Sequence, residues 1–493
     1  MKYILSIDAG TTGVTVLLIN KETTVIAKAY RELKQYYPQA GWVEHDPEEL
    51  ILKTKECIRE IVTIVSLDEI RGIGITNQRE TIVMWDKKTG KPIHNAIVWQ
   101  CRRTTERCNQ LKEQGYEKTI KEKTGLVLDP YFSATKIEWL LQNVVNCSDE
   151  LRRDTIHDIL CGTIDTWLVW NFTKEKAHVS DTSNASRTML FNIHTKQWDE
   201  ELLKIFNIEK VMLPEVKQSS EIYGHMEIEG QEIPIAGIAG DQQAALFGQC
   251  CFEEGMLKNT YGTGCFLLLN TGEKPATSQN LLTTIAWTIN KKTYYALEGS
   301  VFIAGAAVQW LRDGLKIIKT AEETEILAQS LKENENVYFV PALTGLGCPY
   351  WDPDAKGMLI GITRGTTQED IVRATLEGIA YQTKDVIETM KQEANLLVKE
   401  LKADGGAAGN SFLMQFQADI LDASVVVPQN RETTALGAVF LAGLAVGFWK
   451  DQDEIRQYWK EEKKFFSTMS LEKREPLYNK WKDAVGRCKG WNK

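Results

Sequence analysis

Two acidic residues stand where strand-like apolar segments end, and a carboxylate in that position can reach a ligand. Asp8 closes the segment ILSID and is followed by a turn of glycines and threonines at residues 10–13. Asp241 closes IPIAGIAGD, in which small residues precede the acid and a helical pattern follows it. A carboxylate beside such a turn suits Mg²⁺ near a phosphate. An acid opening a helix is typical of an N-cap, but in a cleft it also suits a base that takes a proton from a hydroxyl.

Glycine-rich turns occur at three places, and each would bring backbone N–H groups close to a ligand. They are residues 10–13, the turn within NTYGTGCF, and the sequence Gly405-Gly406 with Gly409. The first turn has no lysine and lacks the P-loop spacing G-x-x-x-x-G-K-[ST]. The third precedes a helical pattern, and a helix N-terminus suits a phosphate or a nucleotide edge. The three turns predict a phosphate-binding cleft that is not a P-loop.

Length and composition limit the classes of protein to consider. The 493 residues predict two domains or more, and 43% apolar with 25% charged residues is typical of a globular protein. The formal net charge of −9, without a dense Lys/Arg stripe, argues against nucleic acid as the main ligand.

Cysteine usage and the N-terminus indicate a compartment. The ten cysteines form no C-x-x-C pair and no metal-finger spacing, which fits a reducing environment in which most of them are small core residues. The N-terminal segment enters a strand directly, with no basic signal region, and no apolar run has the length of a membrane span. We therefore expect a cytoplasmic protein without a membrane span.

The elements that must position these residues show one long-range similarity. YILSIDAGTTGVTVLLI (3–19) and GMLKNTYGTGCFLLLN (255–270) both read as strand, Gly/Thr turn, strand. This similarity predicts two related domains facing each other across a cleft, although coincidence stays open on this observation alone. Residues 70–86 alternate like a pair of strands, whereas residues 367–394 and 435–449 have helical patterns. The predicted class is mixed α/β, and no low-complexity linker separates the halves.

Long motifs then identify a family. YFSATKIEWLLQN (131–143) and GMLIGITRGTTQEDIVRATLE (357–377) match two signatures of the FGGY family of carbohydrate kinases. The chain resembles this family over nearly its whole length, and within it the members that phosphorylate glycerol. Further matching segments follow in order, among them TNQRET, VWQCRRT, GTIDTWL, DTSNASRTMLFNI, GIAGDQQAALFGQ, NTYGTGCF, LEGSVFIAGAAVQWLRDG, VPALTGLGCPYWDP and DGGAAGNSFLMQFQADIL.

The resemblance implies a fold and a nucleotide site. It implies two actin/hexokinase-like (ribonuclease H-like) domains, residues 1–250 and 251–493, around a central nucleotide cleft, and a homo-oligomer, either a dimer or a tetramer. ATP would be held between two hairpin turns, with Mg²⁺ near Asp8. The nucleotide-contacting positions carried over from the family are Thr11, Thr12, Gly13, Thr263, Gly264, Gly305, Gln309, Gly406 and Asn410.

The resemblance also implies an acceptor site for a three-carbon triol. The positions expected around glycerol are Arg79, Glu80, Trp99, Tyr131, Asp241, Gln242 and Phe266. Their polar groups suit three hydroxyls, and the two aromatic residues Trp99 and Phe266 would exclude a longer sugar. Asp241 would be the general base in the ATP-dependent phosphorylation of glycerol to sn-glycerol 3-phosphate.

Two positions depart from the pattern of the glycerol-phosphorylating members. Ala9 and Thr15 stand where a glutamine and an arginine are common, so a cation near the phosphates is missing. Thr15 favours one alternative, an FGGY kinase for another polyol or sugar such as a pentulose or gluconate. A second alternative is a non-catalytic, nucleotide-gated binding or filament protein, and Asp241 beside a complete polyol pocket argues against it.

Overall fold

The structure, a computed structural model, describes residues 2–145, 156–174, 176–334 and 336–491. The strands of the first half are β1 (Tyr3–Ala9), β2 (Gly13–Asn20), β3 (Val25–Glu32), β4 (Glu44–His45), β5 (Ile70–Asn77), β6 (Ile82–Asp86), β7 (Ala96–Ile97), β8 (Ile159–Thr163), β9 (Val179–Asp181), β10 (Phe191–Asn192), β11 (Gln197–Trp198), β12 (Glu215–Lys217), β13 (Ser220–Ile228) and β14 (Gln231–Gly240). Its helices are α1 (Pro47–Val62), α2 (Thr105–Glu113), α3 (Glu117–Thr124), α4 (Ala134–Asn143), α5 (Ile164–Phe172), α6 (Thr182–Ala185), α7 (Glu200–Ile205) and α8 (Asp241–Gly248).

The second half continues with further strands and helices. The strands are β15 (Leu257–Tyr261), β16 (Cys265–Gly272), β17 (Leu282–Ile289), β18 (Lys292–Val301), β19 (Tyr338–Val340), β20 (Met358–Ile360), β21 (Glu400–Asp404), β22 (Ser424–Pro428) and β23 (Glu461–Phe465). The helices are α9 (Gly305–Gln309), α10 (Glu323–Ser330), α11 (Gln368–Ala394), α12 (Ser411–Leu421), α13 (Thr433–Ala445), α14 (Gln452–Tyr458) and α15 (Leu471–Cys488).

Each half builds one large sheet around the same arrangement of five strands. The orders are β13-β14-β5-β1-β2-β3 and β17-β18-β16-β15-β21-β22-β23. In the first sheet, β1, β2 and β3 are antiparallel neighbours, β5 runs parallel to β1, and β14 runs parallel to β5. The strands β15, β16, β18, β21 and β22 repeat this pattern. The two strand–turn–strand segments are therefore equivalent parts of a repeated fold, and the two-domain α/β prediction is confirmed.

The two predicted helices form, but the one predicted over residues 435–449 ends four residues earlier, at Ala445. Helix α11 begins with a capping box in which Thr367 and Asp370 satisfy each other's backbone N–H groups, and it ends at Asn395 with φ 53°. Helix α13 is apolar nearly all round and is buried along most of its length, as such a pattern predicts.

One expectation about the strands is wrong. Residues 70–86 form two strands, but β5 belongs to the six-stranded sheet and β6 to a separate sheet of order β4-β7-β6-β8. Between them the chain turns towards β1, where the Gln78 N–H donates to the Ala9 carbonyl at 2.9 Å. Alternation of apolar residues predicts which face of a strand is buried, whereas the partner strand depends on residues elsewhere in the chain.

Two helices cross between the halves at close range. Helix α8 follows β14, and α13 from the second half packs on β1, β5 and β14 of the first sheet. A Cβ on Gly437 would lie 1.8 Å from the Ala244 carbonyl oxygen, and one on Gly248 would lie 1.9 Å from that of Thr433. Glycine is required for such a backbone approach. The apolar cluster around the crossing combines residues of both sheets, so the halves meet over a substantial buried interface.

Two further expectations concern the cysteines and the absence of a membrane span. The described cysteines are all free and buried, in agreement with their expected role as small core residues; Cys147 lies outside the described residues. Among the described residues, none of the helices combines the length and the apolar character that crossing a membrane requires.

Candidate functional site

The first predicted phosphate turn, Thr11–Thr12–Gly13, connects β1 to β2 shortly after Asp8. The Gly10 N–H donates to the Gly13 carbonyl at 3.0 Å and closes the turn. The indole N–H of Trp99 donates to the Thr11 hydroxyl at 2.9 Å. The structure therefore links the predicted phosphate turn directly to a residue predicted for the acceptor pocket.

Asp8 lies in a site where negative charges accumulate. Burial, together with the Asp241 and Glu432 carboxylates, raises the pKa of Asp8 to about 7, and Lys28 acts in the opposite direction. The two predicted functional acids therefore influence each other, although they lie 233 positions apart in the sequence. A cation placed here would relieve the repulsion.

Thr15 lies directly opposite Asp8 on the neighbouring strand. The two residues are partners in the antiparallel register of β1 and β2, and directly opposite side chains share one face of a sheet. The side chain at position 15 is half-buried. An arginine here would therefore lie on the Asp8 side of the sheet, so the departure noted in the sequence affects the charge beside Asp8.

The second predicted phosphate turn, with Thr263 and Gly264, connects β15 to β16. The Gly305 N–H at the start of α9 donates to the Gly262 carbonyl at 2.9 Å. The beginning of α9 therefore packs on this turn and brings two predicted nucleotide positions together. Gln309 ends the same helix and is exposed.

The third turn lies beside the end of β15. A Cβ on Gly405, whose φ is +86°, would lie 2.5 Å from the Tyr261 carbonyl oxygen. Gly406 is exposed at the start of a short 3₁₀ segment. Asn410 is the N-cap of α12, where its Oδ1 accepts from the Leu413 N–H at 3.0 Å. The second and third turns thus converge. The side-chain Oδ1 of Asn410, however, already accepts from the Leu413 N–H of the helix.

Asp241 is the first residue of α8 and presents an accessible carboxylate. The N-cap of α8 is Gly240, so the alternative that Asp241 merely caps the helix is wrong. Its Oδ1 accepts from the Gln242 N–H at 2.7 Å and lies 3.1 Å from Arg79 Nε. The side chain is 32% exposed, so it is open to a hydroxyl, while the Gln242 N–H and the ion pair with Arg79 hold its position.

A buried network of four charges lies behind this carboxylate. Arg187 pairs with Glu80 at 2.7 Å and with Glu298 at 2.8 Å. Arg79 pairs with both oxygens of Glu298. All four side chains are 2% exposed or less, and Glu298 belongs to β18 of the second half. Two cations and two anions therefore compensate one another across the interface between the halves.

Arg79 is held along its whole guanidinium group. Besides Glu298 and Asp241, Nη1 donates to Gln243 at 3.2 Å and Nη2 donates to the Tyr131 hydroxyl at 3.3 Å. A rigid planar donor is thereby fixed at the wall of the predicted acceptor pocket. Burial raises the pKa of Tyr131, so this hydroxyl keeps its proton and can donate it in a hydrogen bond.

Glu80 has an unusual backbone conformation. Its φ is 63°, in the left-handed region, although the residue is buried and has a Cβ. Such a conformation costs about 1–3 kcal/mol and concentrates at functional sites. The Ser133 hydroxyl, which donates to the Glu80 carbonyl at 3.0 Å, and the ion pair with Arg187 hold it in place.

The aromatic members of the predicted pocket are also placed near these groups. The rings of Trp99 and Tyr131 meet edge to face with centroids 5.5 Å apart. Phe266 lies half-buried on β16. Its carbonyl accepts from Lys258, which also binds the Gln242 side chain. Direct contacts, or contacts through this one lysine, thus connect all seven residues of the predicted pocket.

Three charged residues of the site were missed in the sequence. They are Arg187, Glu298 and Lys258, which lie in the segments SNASRTMLF, YYALEGSV and GMLKNTY. Each is a single charge in a largely apolar or small-residue segment, and each is buried. Because a buried charge requires a partner, this pattern could have indicated them, although not which residues they contact.

Comparisons with known proteins identify the family. Residues 3–248 match the N-terminal domain of the FGGY family of carbohydrate kinases, and residues 257–446 match its C-terminal domain. The chain is 58% identical to glycerol kinase 2 of Thermotoga maritima over 100% of both chains. It is 57% identical to the glycerol kinase of Pseudothermotoga lettingae over 99% of both.

Solved structures show the same fold. Plasmodium falciparum glycerol kinase, solved with ADP, superimposes with a TM-score of 0.93 at 38% identity, over 99% of this chain and 98% of that one. A xylulose kinase from Lactobacillus acidophilus superimposes with a TM-score of 0.88 over the same shares of both chains, but at 23% identity. The second likeness concerns the fold alone.

Proposed function

Because this chain belongs to the FGGY family of carbohydrate kinases, we propose that it transfers the γ-phosphoryl group of ATP to glycerol and forms sn-glycerol 3-phosphate. The observation that carries this proposal is the full-length similarity, at 57–58% identity, to proteins that are glycerol kinases. The pentulose or gluconate alternative is not favoured, since the xylulose kinase shares the fold at only 23% identity.

The acceptor pocket binds and orients the triol. Tyr131 offers a donor to a hydroxyl oxygen, and Asp241 offers an acceptor. The Nη atoms of Arg79 already donate to protein groups, one of which is the Tyr131 hydroxyl, so Arg79 holds the pocket in place. The edge-to-face pair of Trp99 and Tyr131 gives the carbon chain an apolar surface. The indole N–H of Trp99 is bonded to Thr11, so this wall cannot move without moving the first phosphate turn. The acceptor is thereby aligned with the phosphates.

Asp241 acts as the general base. As the terminal hydroxyl oxygen forms its bond to the γ-phosphorus, the bond between that phosphorus and the β–γ bridging oxygen breaks and ADP leaves. The hydroxyl proton passes to the Asp241 carboxylate. Backbone N–H groups of the two turns stabilise the charge on the transferred group. Closure of the two halves excludes water, which would compete as a nucleophile.

Mg²⁺ fits this site at Asp8. The pKa of Asp8 is raised by burial and then by Asp241 and Glu432, and the opposing effect of Lys28 does not offset this, so a cation would be favoured here. An ion here would be bound mainly by phosphate oxygens and water, with one protein carboxylate. When bound, the ion would neutralise charge on the β- and γ-phosphates.

The remaining assignments rest on the same proposal. We assign residues 1–250 and 251–493 to the two domains, with the nucleotide positions on the three turns, on α9 and at the N-cap of α12. A cytoplasmic location and a homo-oligomeric state, dimer or tetramer, stay predictions. Gel filtration with light scattering measures the oligomeric state directly.

A base-deficient variant tests the proposal. Asp241→Asn keeps the shape and one acceptor oxygen for Arg79, but the amide cannot take a proton. We expect turnover of glycerol with Mg-ATP to fall by about 10²–10⁴-fold, while glycerol binding, followed by the fluorescence of Trp99 or by calorimetry, stays nearly intact. Turnover within about twofold of the wild type would remove Asp241 from this role.

A substrate panel tests the acceptor. The wild type is assayed with Mg-ATP and glycerol, xylulose, gluconate or xylitol at equal concentrations. We expect glycerol to give the highest kcat/KM. A higher value for any of the other three compounds would refute glycerol as the substrate while leaving the kinase activity in place.

A further inference from the structure

Lys258 is a buried cation that contacts two residues of the acceptor pocket. It lies on β15, and its Nζ donates to Gln242 Oε1 at 2.5 Å, to the Thr260 hydroxyl at 2.9 Å and to the Phe266 carbonyl at 3.2 Å. The residue is 0% exposed. The contacts join the beginning of α8 to the hairpin that carries the second phosphate turn.

The protonation state of Lys258 agrees with its role as the donor in these contacts. Burial lowers the pKa of Lys258 to about 8, and the carboxylates of Asp404 and Asp241 oppose this effect. At neutral pH the group therefore remains mostly an ammonium ion with three N–H donors. Three acceptors lie within hydrogen-bond distance, so every donor is used and none is available to substrate.

The contact with Lys258 decides which end of the Gln242 amide can face a polyol. The amide oxygen is occupied by the ammonium group, so the group left for a hydroxyl is the NH₂, which donates. At the neighbouring position, Asp241 offers an acceptor. Adjacent residues on α8 thus present a donor and an acceptor, the pair that a hydroxyl group can satisfy at once.

We propose that Lys258 is a positioning residue for the acceptor pocket, which orients the Gln242 amide so that its NH₂ faces the polyol and fixes the strand that carries Phe266. This inference rests on the proposed function, because it presupposes that the polyol binds beside Gln242. Lys258 itself does not touch the polyol.

A double-mutant cycle tests the coupling. Lys258→Met keeps a similar length but removes the three donors. We expect KM for glycerol to rise by about 10- to 100-fold, with KM for ATP within about twofold. In the Gln242→Ala background the same change should raise KM by less than about threefold, because the group that Lys258 orients is already absent.

Lys402→Met is the matched control. Lys402 is the register partner of Lys258 on β21, is also buried, and donates to the Gln249 carbonyl at 2.6 Å rather than to a pocket residue. This variant should lose stability, measured as Tm, without changing KM for glycerol. An equal rise of KM in both lysine variants would reduce the role of Lys258 to general stability and overturn the proposal.

Gln242→Glu keeps the test decisive if Lys258→Met does not fold. A glutamate retains an acceptor for Lys258 but has no NH₂ for the polyol. We expect Tm to be equal to or above that of the wild type, together with a rise of KM for glycerol of about tenfold. An unchanged KM would overturn the inferred orientation of the amide.

The outcomes separate this inference from the proposed function. Absence of glycerol phosphorylation by the wild type would refute the proposed function, and with it this role of Lys258. Normal wild-type turnover combined with fully additive losses in the double-mutant cycle would refute the role of Lys258 alone.

Discussion

Replacing Glu298 by glutamine should destabilise the protein and weaken glycerol binding together. Glu298 accepts from Arg79 and Arg187 in a network that excludes water. Burial would raise the pKa of Glu298, but the charges of Arg187 and Arg79 outweigh it and lower the pKa to about 2 from the ordinary 4.5. That difference corresponds to about 3 kcal/mol of stability at neutral pH, and removing one partner of a buried pair costs about 3–5 kcal/mol.

The pH dependence of this contribution has a definite sign. Because the folded-state pKa lies below the ordinary value, the stabilisation is complete above pH 4.5 and is lost as the pH falls towards 2. We expect Tm of Glu298→Gln at pH 7.5 to lie about 3–5 °C below the wild type, because an unfolding entropy of about 2.1 cal/mol/K per residue over 493 residues gives about 1 °C per kcal/mol. About 1 kcal/mol of the difference should disappear between pH 4.5 and 3.5. KM for glycerol should rise, since Arg79 loses its main partner.

Thermal melts followed by circular dichroism at several pH values measure this effect. Glu462→Gln is the control, because Glu462 pairs with Arg431 at 2.9 Å with both side chains more than one-third exposed, and such pairs contribute about 0–1 kcal/mol. Equal changes of Tm in the two variants, or a difference that does not depend on pH, would refute the role assigned to the buried network.

Two further substitutions test the pocket wall and the phosphate side. Phe266→Ala should relax the acceptor preference. We expect a loss in kcat/KM for glycerol equivalent to about 1–3 kcal/mol, and a gain in activity on erythritol and pentitols relative to glycerol. No relative gain for the longer polyols would mean that Phe266 is not the wall. Thr15→Arg should tighten ADP binding most strongly at low salt, because position 15 is opposite Asp8; unchanged affinity there would show that another cation, such as Lys28, already acts at this site.

The sequence by itself determined the local elements and the type of chemistry. The Gly/Thr turns after apolar strands predicted the two hairpins, and the helical apolar spacing of residues 367–394 predicted α11. These signals are local, since they depend on backbone freedom and on hydrogen bonds between near neighbours. Long motifs identified the family, and Asp8 and Asp241 were placed at strand ends. The structure puts these two acids where their charges interact.

Only the tertiary structure decided which side chains compensate one another. Arg79 meets Glu298 across 219 residues of sequence, and β6 joins a sheet that local alternation did not indicate. Lys258 contacts Gln242 because β15 and α8 come together when the halves pack. The burial of a charge is favourable only when an opposite charge or hydrogen-bond partner arrives from elsewhere in the fold, so these contacts follow from packing rather than from any one segment.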